Sequence, residues 1–162
     1  MKHIYTFLCL FLLSGVAYGG SVTIPWNNGT YTGSVSGGIP EGNGALSYFV
    51  DGKLTFTLEG FFENGHLQGK GTETFYLDYP KVECKYVGNF LDSERHGFGI
   101  ERCAFLDSIA KGEWRNGVQH GRGSSTTDDE KFDGVYKNGE EWSGLLYKSG
   151  QVKGSVRKGV WY

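Results

Sequence analysis

The chain is poor in the residue types that build metal centres, membrane spans and nucleic-acid surfaces. Its 162 residues include three cysteines, four histidines and one methionine, and its formal net charge is -2 at pH 7. The weak acidic balance excludes the basic footprint of a nucleic-acid-binding protein and gives no long-range attraction to an anionic membrane. The histidines are too few and too scattered for a metal centre. After residue 19, no apolar run is long enough to cross a bilayer.

The motifs of common enzyme classes are also missing. There is no Gly-x-Ser-x-Gly or His-Glu-x-x-His segment. Residues 65–72 resemble a phosphate loop only superficially, because three residues rather than four separate the first two glycines. His96 and His120 share one repeat position, where loop residues are expected, and the acidic runs 128–130 and 140–141 are typical of solvated connections. The sequence therefore predicts no enzymatic activity, no cofactor and no metal.

Residues 1–19 have the order of a secretory signal peptide. A lysine and a histidine come first, the apolar run Ile4 to Leu13 follows, and small residues end at Gly19. We expect cleavage after Gly19 or, alternatively, after Ala17; the rival interpretation is an uncleaved anchor, for which a run well below ~20 residues is short. Removal of one lysine leaves 15 Lys+Arg against 18 Asp+Glu, a charge of -3. The sequence thus predicts a secreted or periplasmic protein.

Glycine is the abundant residue, with 27 of 162 positions, about 17% against a usual ~7%. It recurs in one sequence motif, called the repeat phrase below. The motif has a bulky apolar residue at offset zero, glycine at offset two, a second bulky residue at offset four, and glycines or substitutes at offsets seven, eleven and thirteen. Copies start at residues 31, 58, 86, 110, 132 and 152. The phrase degrades in the fifth copy at Ser143 and Leu145. Such spacing is typical of a stacked repeat array, and the 25 aromatic residues supply the apolar surface that a disordered chain lacks.

Each copy is predicted to form a β-hairpin. Offsets zero, two and four lie on one face because side chains alternate along a strand, and Asn-Gly pairs at offsets six and seven favour a tight reversal. The glycine at offset two is expected to let aromatic rings of neighbouring hairpins approach. Isolated hairpins are marginal in water, so they must stack. The predicted returning strands are Ala45 to Val50, Thr72 to Leu77, Ile100 to Phe105 and Gly144 to Lys148.

The phrase resembles the MORN repeat, and Lys111 to Gly123 (KGEWRNGVQHGRG) is its best copy here. The resemblance covers about residues 30 to 162, as five full copies and a partial one, after a lead-in or cap at residues 20–29. It implies an all-β fold, an elongated single-layer antiparallel sheet of stacked hairpins. It also implies a binding or scaffolding role, in some relatives near membranes.

Two cysteines remain after the leader, Cys84 and Cys103. They occupy the positions that Phe56 and Phe75 hold in the preceding copy, and both share the parity of the inward residues. If the strands pair about a turn near Glu94, the two cysteines lie nearly opposite each other, within disulfide reach. An exported compartment favours that bond. Two buried thiols are the alternative.

The sequence favours a non-enzymatic binding or scaffold protein with a protein partner. A sheet of this kind offers long regular surfaces and free strand edges. Peripheral association with phospholipid and binding of carbohydrate or cell wall stay open as alternatives, and a homodimer through the C-terminal end is a further expectation. The candidate contact residues are aromatics that the core cannot cover, or else end caps: Trp26, Trp142, Tyr147, Trp161 and Tyr162.

Overall fold

The computed structural model describes residues 20–77 and 82–162, so the predicted signal peptide lies outside the described residues. The described chain forms one antiparallel sheet of 13 strands in sequence order, in which every strand pairs with the next. This is the predicted all-β architecture. The strands are β1 Val22–Trp26, β2 Gly29–Ser36, β3 Ile39–Val50, β4 Lys53–Glu63, β5 His66–Leu77, β6 Val82–Leu91, β7 Glu94–Cys103, β8 Ser108–Arg115, β9 Val118–Thr126, β10 Glu130–Lys137, β11 Glu140–Lys148, β12 Gln151–Arg157 and β13 Val160–Trp161.

Two-residue turns set the direction of the strands. Nine connections place both central residues at positive φ, which is the geometry of a type I′ turn and matches the twist of the flanking strands. The three predicted Asn-Gly turns are among them, and the third copy uses Asp92-Ser93 with φ of 52° and 66°. Because these turns are so short, each returning strand begins immediately after the turn, several residues earlier than the sequence pattern suggested.

The glycine at offset eleven marks a β-bulge. Gly42, Gly69, Gly97 and Gly121 have φ between 60° and 114°, and the ladder of each of these hairpins shifts register near them. A left-handed residue in a bulged strand strongly favours glycine because it carries no Cβ. The third returning strand also ends earlier than predicted, at Cys103, where a 3-10 turn over Ala104–Leu106 interrupts it.

Glycines at offsets two and thirteen pair with each other within each of the first five copies and between neighbouring copies. They form one continuous row over ten strands: Gly33, Gly44, Gly60, Gly71, Gly88, Gly99, Gly112, Gly123, Gly134 and Gly144. The fifth copy keeps this row through Gly144, one residue earlier than its frame predicts, so the phrase is shortened there rather than lost. In copies one, three and five the two glycines lie beneath the ring at offset zero of their own hairpin, which is Tyr31, Tyr86 or Phe132; a Cβ on Gly99, for example, would overlap the ring of Tyr86.

The sheet has two different faces. The face that carries offsets zero and four, called the ring face, buries Tyr31, Phe62, Tyr86, Phe90 and Trp114 in one cluster. A second cluster contains Phe132, Tyr136 and Val156. The opposite face, called the back face, carries offsets one and three and is covered by no other element among the described residues. The expectation that every bulky residue at offset zero points inward fails at Val152, which is 57% exposed.

Candidate binding surfaces

Arg95 forms a charged centre on the ring face. It occupies the cross-strand position opposite Phe90, where the preceding copy has Leu67 opposite Phe62. Its Nε donates to Glu73 at 2.7 Å and its Nη1 donates to Glu101 at 2.6 Å. With two carboxylates against one cation, the centre stays acidic.

Three aromatic rings surround the Arg95 guanidinium. Its Cζ lies 4.9 Å from the ring centroid of Phe75, 4.8 Å from that of Tyr86 and 5.1 Å from that of Trp114. Burial raises the pKa of Tyr86 to about 12, although Arg95 acts in the opposite direction. The arrangement holds copies two, three and four together, because a guanidinium that stacks on rings and pairs with carboxylates fixes its neighbours in one geometry. This centre was not predicted from the sequence, although an arginine at an inward repeat position was the available signal.

Cys84 and Cys103 form a disulfide in the structure. They are directly paired across β6 and β7, with Cα atoms 4.1 Å apart, and Val82 and Phe75 pack beside them. The cysteines therefore close the open end of the third hairpin, where Phe56 and Phe75 pair in the second copy. The register expected from the sequence is confirmed, about a turn at Asp92-Ser93.

The predicted contact aromatics do not form one site. Trp26 is half-buried and packs against the first cluster, and its Nε1 donates to the Gly65 carbonyl at 3.1 Å. It covers the Asn64-Gly65 turn of the second copy in the manner of an end cap. Trp161 and Tyr162, at the other end, are 48% and 75% exposed. Trp161 still reaches the second cluster, with its ring centroid 6.2 Å from that of Phe132.

Trp142 and Tyr147 take intermediate positions. Each ring is half-buried and lies beneath a lysine: the Lys137 Nζ is 4.2 Å from the Trp142 ring centroid, and the Lys131 Nζ is 5.8 Å from that of Tyr147. Their exposed ring area is thereby reduced. Of the five candidates, Trp161 and Tyr162 present the most accessible aromatic surface.

A polar seam separates the two apolar clusters of the ring face. The Tyr136 hydroxyl donates to Ser125 Oγ at 2.9 Å, and burial raises the pKa of Tyr136 to about 12. Burial also raises the pKa of Glu141, while a hydrogen bond with Ser125 lowers it. The buried Nε2 of Gln119 has no hydrogen-bond partner among the residues described. The seam is thus a row of polar groups on the ring face, between two clusters of apolar side chains.

The back face carries an apolar strip rimmed by cations. Val87 and Ile100 are cross-strand partners, and Phe98 lies two residues from Ile100 on the same strand. Val87 is 49% exposed and Phe98 57% exposed. Five exposed cations surround this strip: Lys70, Lys85, Arg102, Lys111 and Arg122. These residues are not evident from the repeat motif, because the offsets that define it point into the core.

None of these five cations takes part in an ion pair within residues 20–77 and 82–162. Four carboxylates share the surface, those of Glu59, Glu83, Glu113 and Asp133. Two of them are engaged: Glu113 accepts the backbone N–H of Arg122 at 3.0 Å, and Asp133 pairs with the Lys131 Nζ at 3.1 Å. The strip therefore lies in a locally cationic field although the whole chain has a formal charge of -2.

His96 and His120 lie within β7 and β9 rather than in loops, so the expectation that they are loop residues is wrong. His120 Nδ1 lies 3.2 Å from the Asn138 side-chain oxygen and accepts the Asn138 backbone N–H at 3.3 Å, which ties one turn to the next. Within the described ranges, no three His, Cys, Asp or Glu side chains are placed to hold a metal ion. The same residues contain no helix long and apolar enough to cross a membrane.

The fold defines a class: open, single-layer sheets built from repeated β-hairpins. The family profile of the MORN repeat matches residues 31–53, 59–76, 86–104 and 111–129. The chain is therefore a member of the MORN-repeat family. Its fifth and sixth hairpins lie outside the matched residues. The comparison with curated proteins gave no match.

Proposed function

We propose that the chain is an exported, non-enzymatic protein that binds or scaffolds a protein partner through its sheet. The observation that carries this proposal is the uncovered back face. A layer of sheet normally buries one face against another element and solvates the other, yet here large apolar side chains such as Phe61, Phe98 and Leu145 remain between 39% and 57% exposed on that face. Exposed apolar surface of this kind is typical of interaction sites.

The family and the extended shape of the hairpin sheet support the same proposal. MORN repeats generally mediate interactions with proteins or membranes, and stacked hairpins present an extended regular surface to a partner. Trp161 and Tyr162 add exposed aromatic area at the C-terminal end, where a second copy of the chain is a further proposed partner. Export is supported by the leader-like residues 1–19 and by the disulfide, because disulfides persist in oxidising compartments.

The binding role is tested by crosslinking the chain in its own extracellular or periplasmic extract and identifying the crosslinked peptides. A protein partner crosslinked reproducibly to sheet residues supports the proposal, and Trp161→Ala and Trp142→Ala report whether the end aromatics contribute. Absence of any reproducible partner, together with turnover of a substrate, would contradict it. Light scattering of the purified chain measures whether it is a dimer.

Export has its own test. Intact mass and N-terminal sequencing of the protein from its native cells should give a chain that begins at Gly20 and carries no free thiol at Cys84 or Cys103. A full-length chain retained inside the cell, or two alkylatable thiols without reduction, would contradict export while leaving the binding role intact.

A further inference from the structure

The back-face strip has the layout of a docking site for an extended segment. On β6 the order along the strand is Lys85, Val87, Asn89, and on the antiparallel β7 it is Arg102, Ile100, Phe98. The register places Lys85 opposite Arg102 and Val87 opposite Ile100. The surface therefore has a cationic level, then an apolar level two residues further along both strands.

A second cationic level follows beyond the apolar one. Lys70 pairs with Asn89 and lines one shallow depression together with Phe98. Arg122 lines the adjoining depression on the other side of Phe98, beyond Glu113, the cross-strand partner of Phe98. It therefore adds to the local positive charge but lies too far from Lys70 to share a ligand with it. The two cationic levels are four residues apart along a strand, which is about 13 Å at ~3.3 Å per residue. Lys111, the cross-strand partner of Ile100, adds a cation beside the apolar level.

We infer, on the basis of the binding role proposed above, that this strip binds an extended acidic segment of a partner protein. The segment carries carboxylates four positions apart and an apolar residue midway between them. In an extended chain those three side chains point to the same side, and their spacing matches the two cationic levels and the apolar level. One carboxylate pairs with Lys85 and Arg102, and the other pairs with Lys70 beside Asn89.

Charge complementarity selects this occupant over the alternatives. Among the described residues, the strip combines five cations outside any ion pair with two exposed apolar side chains, Val87 and Phe98, and the half-buried Ile100. An acidic segment therefore neutralises the cations while its apolar residue covers Val87 and Ile100. An anionic membrane suits the surface less well, because Glu83, Glu113 and Asp133 lie among the cations and a flat bilayer would bring lipid phosphates against them. A second copy of the chain would have to present an acidic extended edge at the same spacing.

The experiment selects ligands for the full mature chain from a random library of twelve-residue peptides displayed on phage. The expected winners contain Asp or Glu at positions four apart with an apolar residue between them. Their affinity, measured by fluorescence polarisation, should fall at least tenfold in the double variant Lys85→Glu, Arg102→Glu and about fivefold in Phe98→Ser. Binding should weaken as salt is raised, because charged contacts are screened.

The double variant Lys153→Glu, Arg157→Glu on β12 is the matched control, since it makes the same charge change at exposed positions of a distant strand and should leave affinity within twofold. Winners without acidic residues, or winners insensitive to the double variant, would overturn the inference. If no acidic peptides were selected and the chain instead sedimented with phosphatidylserine vesicles in a Lys85-dependent manner, the inference would be wrong and a membrane would be the occupant. If the affinity of the selected peptides depended only on Trp161, the strip would not be the binding site, but the proposed binding function would still hold. That function would fail only if no partner were found.

Discussion

In copies one and three, a ring at the start of the hairpin meets the ring at offset four of the next copy, and in copy two Leu58 takes that place in the same cluster. Tyr31 and Phe62 have centroids 4.9 Å apart, and Tyr86 and Trp114 have centroids 5.0 Å apart, both in edge-to-face geometry. The fifth copy presents Tyr136 at the corresponding place, but the residue at the start of the fourth copy is Ala110. A methyl group cannot reach across, and the apolar cluster divides between β9 and β10.

The inward residues that pair with offset four across each hairpin change from apolar to polar and charged along the sheet. They are Leu67, Arg95, Gln119 and Glu141 in copies two to five. Leu67 is fully buried, Arg95 is satisfied by two carboxylates, and the Gln119 amide nitrogen has no partner among the described residues. Repeat proteins are stabilised by the contacts between neighbours, so this gradient predicts a stable block of copies one to four and a weaker block of copies five and six.

Truncation of one buried ring in each block gives the largest expected contrast. Trp114→Ala should cost about 3 to 5 kcal/mol of unfolding free energy, as buried aromatic truncations do, because Trp114 is 6% exposed and contacts Tyr86 and Arg95. Its effect should appear as faster hydrogen exchange throughout copies one to four. Phe132→Ala should accelerate exchange only from β10 onwards. Near-native melting of Trp114→Ala, or equal acceleration everywhere by Phe132→Ala, would contradict the division.

Loss of the Arg95 cation is the next largest effect. Arg95→Met should lower stability by roughly 2 to 4 kcal/mol, because it leaves Glu73 and Glu101 partly buried without their cation. Arg95→Lys should recover part of that loss, since one ammonium cannot reach both carboxylates as a guanidinium fork does. The control is Lys148→Met, which breaks an exposed ion pair with Asp129 and should leave the melting curve unchanged. If Arg95→Met and Lys148→Met melted at similar temperatures, the rings around position 95, rather than the ion pairs of Arg95, would be what stabilises this centre.

The glycine row gives a sharper version of the comparison, because Gly88 and Gly154 hold the same offset in copies three and six. A Cβ at Gly88 would lie 2.7 Å from the Gly99 Cα and overlap the Tyr86 hydroxyl. Gly88→Val should therefore cost about 1 to 3 kcal/mol or more through overpacking. At Gly154 the nearest atom is the Tyr162 carbonyl oxygen at 3.2 Å, so Gly154→Val should cost less than half as much in chemical denaturation. Equal losses would mean that the ring does not depend on the glycine row.

The repeat phrase predicted the sheet, its hairpins, the inward rings and the opposition of Cys84 and Cys103, because each depends on local spacing and side-chain parity. It missed the bulges, which require knowing that Gly97 and its equivalents adopt positive φ within a strand. It also missed the Arg95 centre, because guanidinium, rings and carboxylates come from three hairpins. The back-face cations, such as Lys85 and Arg102, become a group only when register aligns the strands.

The smallest expected effect concerns the seam itself. Burial raises the pKa of Glu141 in the folded protein, with the Ser125 hydrogen bond opposing the shift. Folding therefore favours the protonated form, so this contribution to stability is complete below the ordinary carboxyl pKa and is lost as pH rises through the raised value. Glu141→Gln should stabilise β10 to β13 slightly at pH 7, with the gain fading towards pH ~4. Exposed Glu140→Gln is the control. Hydrogen exchange of the two variants at both pH values measures the difference, and a gain that persists at low pH would assign the effect to packing rather than to ionisation.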